Sequence, residues 1–297
     1  MAATPTASGV PPASDSYPSA PTPQFPYVGN GVYGNALLVG ESNTWYWDGT
    51  AWHHSNAHMP EFPHTPPVFD PVLHKSVMLT NGDTGQPVDT WVWSGSSWSN
   101  LSASPPGETG PSLLGFDAAT QQLIALVNAT WRFDGTGWQH AGGQDSPQIR
   151  YGTGLVYDPR TSQLILFGGL LYQGQTSMAD TWTWDGQGWT LRHPATQPPA
   201  GWASLAYDPD TTQLLMVDQE MADQSRPPVS LTMWSWNGAD WQQLHPAALP
   251  PLGNKPTMAY DLANHQLIYF FDTMQTAPGI GGSQTWVYTN GSWKRAG

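Results

Sequence analysis

One eight-residue unit recurs six times along this chain and limits its possible folds more than any other feature. In its clearest copy, Trp182-Thr-Trp-Asp-Gly-Gln-Gly-Trp189, an alternating strand runs into Asp-Gly, and a third tryptophan follows on the returning strand. Asp-Gly between two β-rich runs predicts a tight hairpin, because glycine accepts the positive φ that the turn needs. The other copies begin at Trp45, Trp91, Trp131, Trp234 and Trp286.

The six copies contain sixteen of the 17 tryptophans, and their first residues lie 46, 40, 51, 52 and 52 positions apart. These spacings fall in the range of a four-stranded propeller blade. Because the tryptophans recur in register, we interpret them as packing residues between blades and not as a ligand surface.

One repeat shows the internal order of a blade most clearly. Residues 151–157 are a first strand, a, and Asp158-Pro begins a turn in which the aspartate can bond the backbone that follows it. Residues 164–167 are a continuous apolar run suited to a buried strand, b. Residues 180–184 and 188–191 give strands c and d.

All six units can be read in this way, so the sequence predicts an all-β fold, a six-bladed β-propeller of four-stranded antiparallel blades over residues 26–297. Closing the ring buries the apolar faces of every sheet. Because each unit is complete, we expect blades one and six to meet by packing, without exchange of a strand. Residues 1–25 are rich in Pro, Ala, Ser and Thr and are expected to form a disordered tail or an extended linker.

Unit four carries a family likeness in three segments: Arg150-Tyr-Gly-Thr-Gly-Leu-Val-Tyr-Asp158, Leu164-Ile-Leu-Phe-Gly-Gly169 and Asp180-Thr-Trp-Thr-Trp-Asp-Gly. They resemble a Kelch repeat of the bacterial type, in the galactose-oxidase-like propeller superfamily. Among the six units, only unit four has two glycines directly after strand b. The resemblance implies a ligand face built by the loops that join strand b to c and strand d to the next a. It implies no particular activity, because such propellers include both binding proteins and enzymes.

Composition excludes several partners and chemistries. A net charge of −13, with only 10% charged residues, disfavours contact with a phosphate backbone or an anionic membrane surface, so nucleic acid is not an expected partner. No apolar run reaches the length of a membrane span, and none is expected. The chain has no cysteine, which excludes disulfides, thiolate metal sites and the cysteine–tyrosine copper chemistry of galactose oxidase itself.

Carboxylates are the first candidates for catalysis, because glycosidases use pairs of them. Turn chemistry explains ten aspartates at predicted turns or before strand c: Asp48, Asp70, Asp89, Asp117, Asp134, Asp158, Asp180, Asp185, Asp208 and Asp261. Six acids remain near the expected ligand face: Asp83, Asp145, Asp218, Glu220, Asp223 and Asp272. A pair among them stays open as a minor alternative, and no catalytic residue is assigned.

Histidines are the other candidates for chemistry. Four of them, His53, His54, His58 and His64, cluster between units one and two. Their spacing matches no zinc signature. We therefore expect no metal and no other cofactor.

The residues that break the repeat are the candidate ligand contacts. Trp202 is the single tryptophan outside the six copies and stands at the start of strand a in unit five. Arg150 and Tyr151 stand near the corresponding place in unit four, and Lys255 near it in unit six. Two more lie in the long b–c loops of units four and five. An aromatic ring with an arginine at a propeller mouth can stack on a sugar or hold an acidic peptide. The predicted ligand-binding residues are Trp202, Arg150, Tyr151, Tyr172, Arg226 and Lys255.

These features predict a non-enzymatic, monomeric binding propeller that recognises a glycan or a protein segment. The Pro/Ser/Thr-rich tail indicates an extracellular or cell-surface place, without a visible signal peptide. The alternatives are a carbohydrate-active enzyme (a lyase, epimerase or hydrolase) with an axial pocket, and a scaffold without a small-molecule site. Carboxylates or histidines converging at the axial mouth would favour the enzyme. Aromatic and basic residues alone would favour binding.

Overall fold

The fold was analysed in a computed structural model, which describes residues 16–17, 27–40, 43–59, 63–80, 88–105, 112–143, 145–171, 176–221, 227–273 and 282–296. This part of the chain contains strands and turns but no helix, and therefore no helix that could cross a membrane.

Six antiparallel sheets of consecutive strands a, b, c and d form a six-bladed β-propeller, as the sequence predicts. In blade one the strands are Tyr27–Asn30, Ala36–Gly40, Asn43–Trp47 and Trp52–Ser55, and in blade two Val68–Asp70, Lys75–Thr80, Asp89–Trp93 and Trp98–Asn100. In blade three they are Leu113–Asp117, Gln122–Leu126, Thr130–Phe133 and Trp138–His140, and in blade four Leu155–Asp158, Gln163–Phe167, Thr181–Trp184 and Trp189–Arg192. In blade five they are Gly201–Asp208, Gln213–Glu220, Ser230–Trp236 and Trp241–Leu244, and in blade six Gly253–Asp261, Gln266–Thr273, Ser283–Thr289 and Ser292–Ala296.

Two short additions extend this plan. Ser16–Tyr17 pairs antiparallel with Trp52 and His53 on the outermost strand of blade one. The rest of the predicted tail lies outside the described residues. In blade four, Arg150–Tyr151 pairs with Leu170–Leu171 to form a separate two-stranded ribbon just before strand a.

The predicted turns have the expected chemistry. In the c–d hairpin of blade four, Trp184 pairs with Trp189, and Gly186 has a φ of 92°. Asp185 Oδ1 accepts hydrogen bonds from the backbone N–H groups of Gln187 and Gly188, at 3.0 and 2.9 Å. These bonds hold the pKa of the Asp185 carboxyl below its ordinary value. The aspartates of the a–b turns accept bonds from the backbone two residues later in the same way.

The tryptophans of the repeat lie between blades, and a shared hydrogen bond orients five of the six that stand on strand d. The indole N–H of the strand d tryptophan donates to a threonine Oγ1 at strand c of the preceding blade. The pairs are Trp98 to Thr44, Trp138 to Thr90, Trp189 to Thr130, Trp241 to Thr181 and Trp52 to Thr285, at 2.7–2.9 Å. At the seam of blades five and six, Trp293 meets Met233 Sδ at 3.4 Å instead. Each buried tryptophan contributes up to roughly 4–6 kcal/mol of burial energy.

The ring closes by packing between blades one and six. Strands a of neighbouring blades contact one another around the whole ring, including the pair from blades six and one. Val28, Trp47 and Trp52 of blade one share a buried cluster with Ile268 and Phe270 of blade six. Every four-stranded blade consists of strands consecutive in the chain, so the expected closure without strand exchange is confirmed.

Candidate functional site

The six a strands surround an axial channel with a volume of about 420 Å³, to which every blade contributes. We call the end at which the a strands begin the upper mouth, and the end at the a–b turns the lower mouth. Because strand b runs antiparallel to strand a, the upper mouth lies on the face from which the b–c loops leave. This is the face on which the sequence places ligand contacts.

Three of the predicted ligand residues meet at the upper mouth. Tyr151, Trp202 and Lys255 all line the channel, one each from units four, five and six, and Tyr27 of blade one joins them. Tyr151 and Trp202 are half-buried, and Lys255 is exposed. Burial raises the pKa of the Tyr151 phenol above its ordinary value and that of Tyr27 to about 12, so both hydroxyls are neutral donors at pH 7.

Trp202 lies against a glycine that makes room for its ring. Gly152 has a φ of 70°, and a Cβ at that position would stand 2.6 Å from Nε1 of Trp202 and closer still to Cδ1. The backbone N–H of Ala203 donates to the carbonyl of Gly152 at 2.9 Å, which links the start of blade five to Gly152. We call Gly152 the seat of Trp202. Glycine is required here for both its conformation and its lack of a side chain.

Lys255 stands in an irregularity of strand a in blade six. The pairing with strand b shifts between Asn254 and Thr257, and Lys255 has a left-handed φ of 49°. The bulge presents this side chain at the mouth. Burial raises the pKa of the nearby Asp272 carboxyl, and a hydrogen bond from Ser283 and the charge of Lys255 oppose that rise.

Arg150 has a different environment from its neighbour Tyr151. It is 1% exposed and is absent from the channel lining. Its guanidinium is bidentate on Asp180, at 2.5 and 3.0 Å, and also donates to the carbonyls of Gly168 and Gln148. Asp180, which the sequence groups with the turn carboxylates, is therefore the partner of a buried arginine. The other two predicted residues, Tyr172 and Arg226, lie outside the described residues.

No Asp, Glu or His is found among the described residues that line the channel. Of the six acids left open by the sequence, Asp83 and Asp223 lie outside the described residues, and Asp145 is exposed. Asp218 is fully buried within blade five, Glu220 accepts a 2.7 Å hydrogen bond from Ser230, and Asp272 accepts one of 2.9 Å from Ser283. The described residues thus place no carboxylate pair at the channel.

The histidine cluster makes contacts of another kind. His53 bonds to Asp48 at 2.6 Å, and His54 bonds to Asn43 at 3.0 Å. The described residues hold no group of three or more metal-ligating side chains in an arrangement suited to an ion.

The lower mouth has a feature that the sequence reasoning missed. The residue before the a–b turn aspartate is aromatic in five blades, and it lines the channel in each. The ring consists of Phe69, Phe116, Tyr157, Tyr207 and Tyr260, with Asn30 in the sixth place. Its signal, an aromatic before each turn aspartate, is visible in the repeat. Four of these rings pack on the blade that precedes their own, so they serve the seams between blades.

No family model and no curated protein matches this chain. Solved structures do match it. One is the SapL1 lectin in complex with alpha methyl fucoside, with a TM-score of 0.57 and 12% identity, over 94% of this chain and 96% of that one. Another is the Aleuria aurantia lectin in complex with Fucalpha1-6GlcNAc, with a TM-score of 0.55 and 13% identity, over 93% and 97%.

A third is the GH74 xyloglucanase from Xanthomonas campestris, with a TM-score of 0.54 and 14% identity over 93% of this chain. This chain covers only 46% of the length of that enzyme. At such identities these likenesses show the propeller fold and nothing finer.

Proposed function

We propose that this protein is a non-enzymatic glycan-binding propeller whose ligand occupies the upper mouth of the channel. The observation that carries the proposal is the meeting of Tyr151, Trp202 and Lys255 at that mouth, with no carboxylate or histidine in the described lining. The apolar CH faces of a sugar ring pack on aromatic rings, and an ammonium group donates to hydroxyl oxygens.

Two details of the mouth support a sugar as the ligand. The Nε1 of Trp202 is buried against Gly152, so the half-buried indole can offer a ligand its apolar ring surface and not its N–H. Tyr151, which lines the same mouth, keeps a protonated phenol at pH 7 and adds a neutral donor. Neutral donors beside aromatic surface suit a polyhydroxylated ring.

The enzyme alternative lacks a comparable observation. Glycoside hydrolysis by the usual route needs two carboxyl groups about 5 to 9.5 Å apart, flanking the scissile bond. Asp218 and Glu220 are close in sequence, but Asp218 is 0% exposed and neither lines the channel. The described residues therefore support binding better than turnover.

Finer parts of the proposal follow from the same features. Membership of the Kelch-type, galactose-oxidase-like superfamily is supported by the motifs of unit four. A place outside the cell or at its surface is supported by the Pro/Ser/Thr-rich tail, and sugar recognition by fold likeness to lectins solved with fucosides; the monomeric state is an expectation from the sequence alone.

The test compares wild type, Trp202→Ala and Trp131→Ala on a glycan array, with alpha methyl fucoside and Fucalpha1-6GlcNAc as the first probes. Trp131 is a half-buried tryptophan of blade three outside the channel lining, which makes it the matched control. Truncating a central aromatic contact costs about 2 kcal/mol or more. We therefore expect Trp202→Ala to bind about thirtyfold more weakly and Trp131→Ala to bind as wild type does.

Three outcomes would overturn the proposal. Wild type that binds no glycan would remove sugar as the ligand, and a peptide library would then test the protein-segment alternative. Unchanged binding by Trp202→Ala would move the site away from the upper mouth. Turnover on a panel of polysaccharides would establish the enzyme instead.

A further inference from the structure

Arg150 carries an inference that rests on the proposed function and concerns how the site is held. An arginine beside a mouth is expected to contact ligand, yet this one is 1% exposed, and its guanidinium donates only to protein groups. A buried ion pair is weak evidence of a gain in stability, because desolvation offsets much of the attraction. The role of Arg150 and Asp180 is therefore better judged from the segments that the pair holds in place.

The pair joins three segments of unit four. Arg150 belongs to the ribbon in which it pairs with Leu171, while Tyr151 pairs with Leu170. Its Nη1 donates at 3.0 Å to the carbonyl of Gly168, at the end of strand b. Through Asp180 it reaches the start of strand c. Arg150 thereby connects the ribbon that bears Tyr151 to the end of strand b and the start of strand c.

Asp180 is itself held from a second side. Its Oδ2 accepts a 2.6 Å hydrogen bond from Nε1 of Trp182 as well as one from Arg150. Neither partner of the ion pair is therefore free to rotate without breaking a second contact. A pair fixed in this way suits positioning better than a mobile surface ion pair does.

The ribbon continues directly into the seat of Trp202. Gly152 follows Tyr151, lies against the indole of Trp202, and accepts the hydrogen bond from Ala203 N at 2.9 Å. Gly169 N donates at 2.8 Å to the carbonyl of Gly201, so the end of strand b in blade four also contacts the residue before Trp202. A shift of the ribbon would therefore move both Gly152 and the indole ring of Trp202.

We propose that Arg150, clamped by Asp180, is a positioning residue that fixes Tyr151 and the Gly152 seat of Trp202, and so forms the binding site at the seam of blades four and five. Arg150 acts through these two aromatic residues and does not touch the ligand.

The test reads the position of Trp202 directly and needs no ligand. The protein is labelled with 5-fluorotryptophan, and the fluorine resonance of Trp202 is assigned by its disappearance in Trp202→Phe. Spectra are then compared for wild type, Arg150→Met, Asp180→Asn and Gly152→Ala. The matched control is Arg192→Met, because Arg192 is an arginine of the same blade that bonds to Thr183 and Gln163, away from the channel.

We expect the Trp202 resonance to shift or broaden in Gly152→Ala, Arg150→Met and Asp180→Asn, and to keep its wild-type position in Arg192→Met. The resonance of Trp182 should also move in Asp180→Asn, because that variant alters its acceptor. Asp180→Asn keeps the shape of the side chain and one acceptor oxygen. It therefore still tests the proposal if Arg150→Met fails to fold.

A Trp202 resonance that stays at its wild-type position in folded Arg150→Met or Asp180→Asn would overturn the proposal. Failure of wild type to bind glycans would overturn the proposed function alone, because the fluorine readout reports the geometry of the seam without ligand.

Discussion

The indole N–H of Trp189 in blade four donates a 2.7 Å hydrogen bond to Oγ1 of Thr130 in blade three. Both side chains are buried, and the same joint recurs at four other seams. Five of the six blades are thus fixed to the preceding one by a Trp–Thr hydrogen bond inside a largely apolar interface. This contact gives the stacking of the sheets a defined register.

Thr130→Val tests the value of this joint. Valine keeps the shape of threonine but removes the acceptor, which leaves the Trp189 N–H buried and unpaired. We expect the free energy of unfolding to fall by about 1–3 kcal/mol. Urea denaturation followed by tryptophan fluorescence measures the change. Thr190→Val, at an exposed position in strand d of blade four, should stay within about 0.5 kcal/mol of wild type. Equal midpoints for the two variants would mean that the joint contributes nothing.

Two glycines of the repeated turn should respond differently to alanine. Gly186 has a φ of 92°, and a Cβ there would stand 2.8 Å from Cγ2 of Thr120 in blade three. Gly188 has open space around it and no positive φ. Gly186→Ala should cost about 1–2 kcal/mol. Gly188→Ala should stabilise the protein by up to about 1 kcal/mol, because alanine restricts the unfolded chain. Thermal unfolding of both variants checks this, and similar losses in the two would contradict the argument.

Asp218 should make stability depend on pH. Its carboxyl is 0% exposed, and neither oxygen has a hydrogen-bond partner among the described residues. Burial, followed by the charge of Glu220, raises its pKa well above 3.8. A pKa raised in the folded state means that the stabilising contribution is complete below the unfolded value. It is lost as the pH rises from there towards the folded value. Burial also raises the pKa of Asp261 and Asp272, which act in the same direction.

Asp218→Asn isolates this contribution. We expect wild type to lose more stability than Asp218→Asn between pH 4 and pH 8, since asparagine cannot ionise. Asp145→Asn, at an exposed position, should follow wild type. Urea midpoints at a series of pH values measure the difference, which should grow as the pH rises. A constant difference between wild type and Asp218→Asn across this range would show that Asp218 does not titrate there.

The sequence predicts the blades well because their signals are local and repeated. The hairpin from Trp182 to Trp189 and the turn at Asp158 depend on residues only a few positions apart. Trp202, Tyr151 and Lys255 were predicted as site residues because they interrupt the pattern, and the structure brings all three to one mouth. Their contact with a ligand stays a prediction.

Other parts of the site could not be predicted, because they depend on residues that only the closed ring brings together. The sequence gives no sign that Arg150 is buried, or that its partner is Asp180, 30 residues later. The same holds for Gly152, whose need for glycine comes from a ring on the next blade. A threonine before the first tryptophan is visible in five of the six copies, but its role as an acceptor requires the neighbouring blade.

Closure by packing between blades one and six has a consequence for how the chain is made. Trp52 bonds to Thr285 across 233 residues, and Val28 N bonds to Thr257 Oγ1 across 229. Five blades that have left the ribosome still present two uncovered sheet faces, one of them the face of blade one. Such faces are prone to misassociation until the missing surface arrives. The interval between synthesis of the fifth and the sixth blade is therefore when a nascent chain of this kind depends most on chaperones.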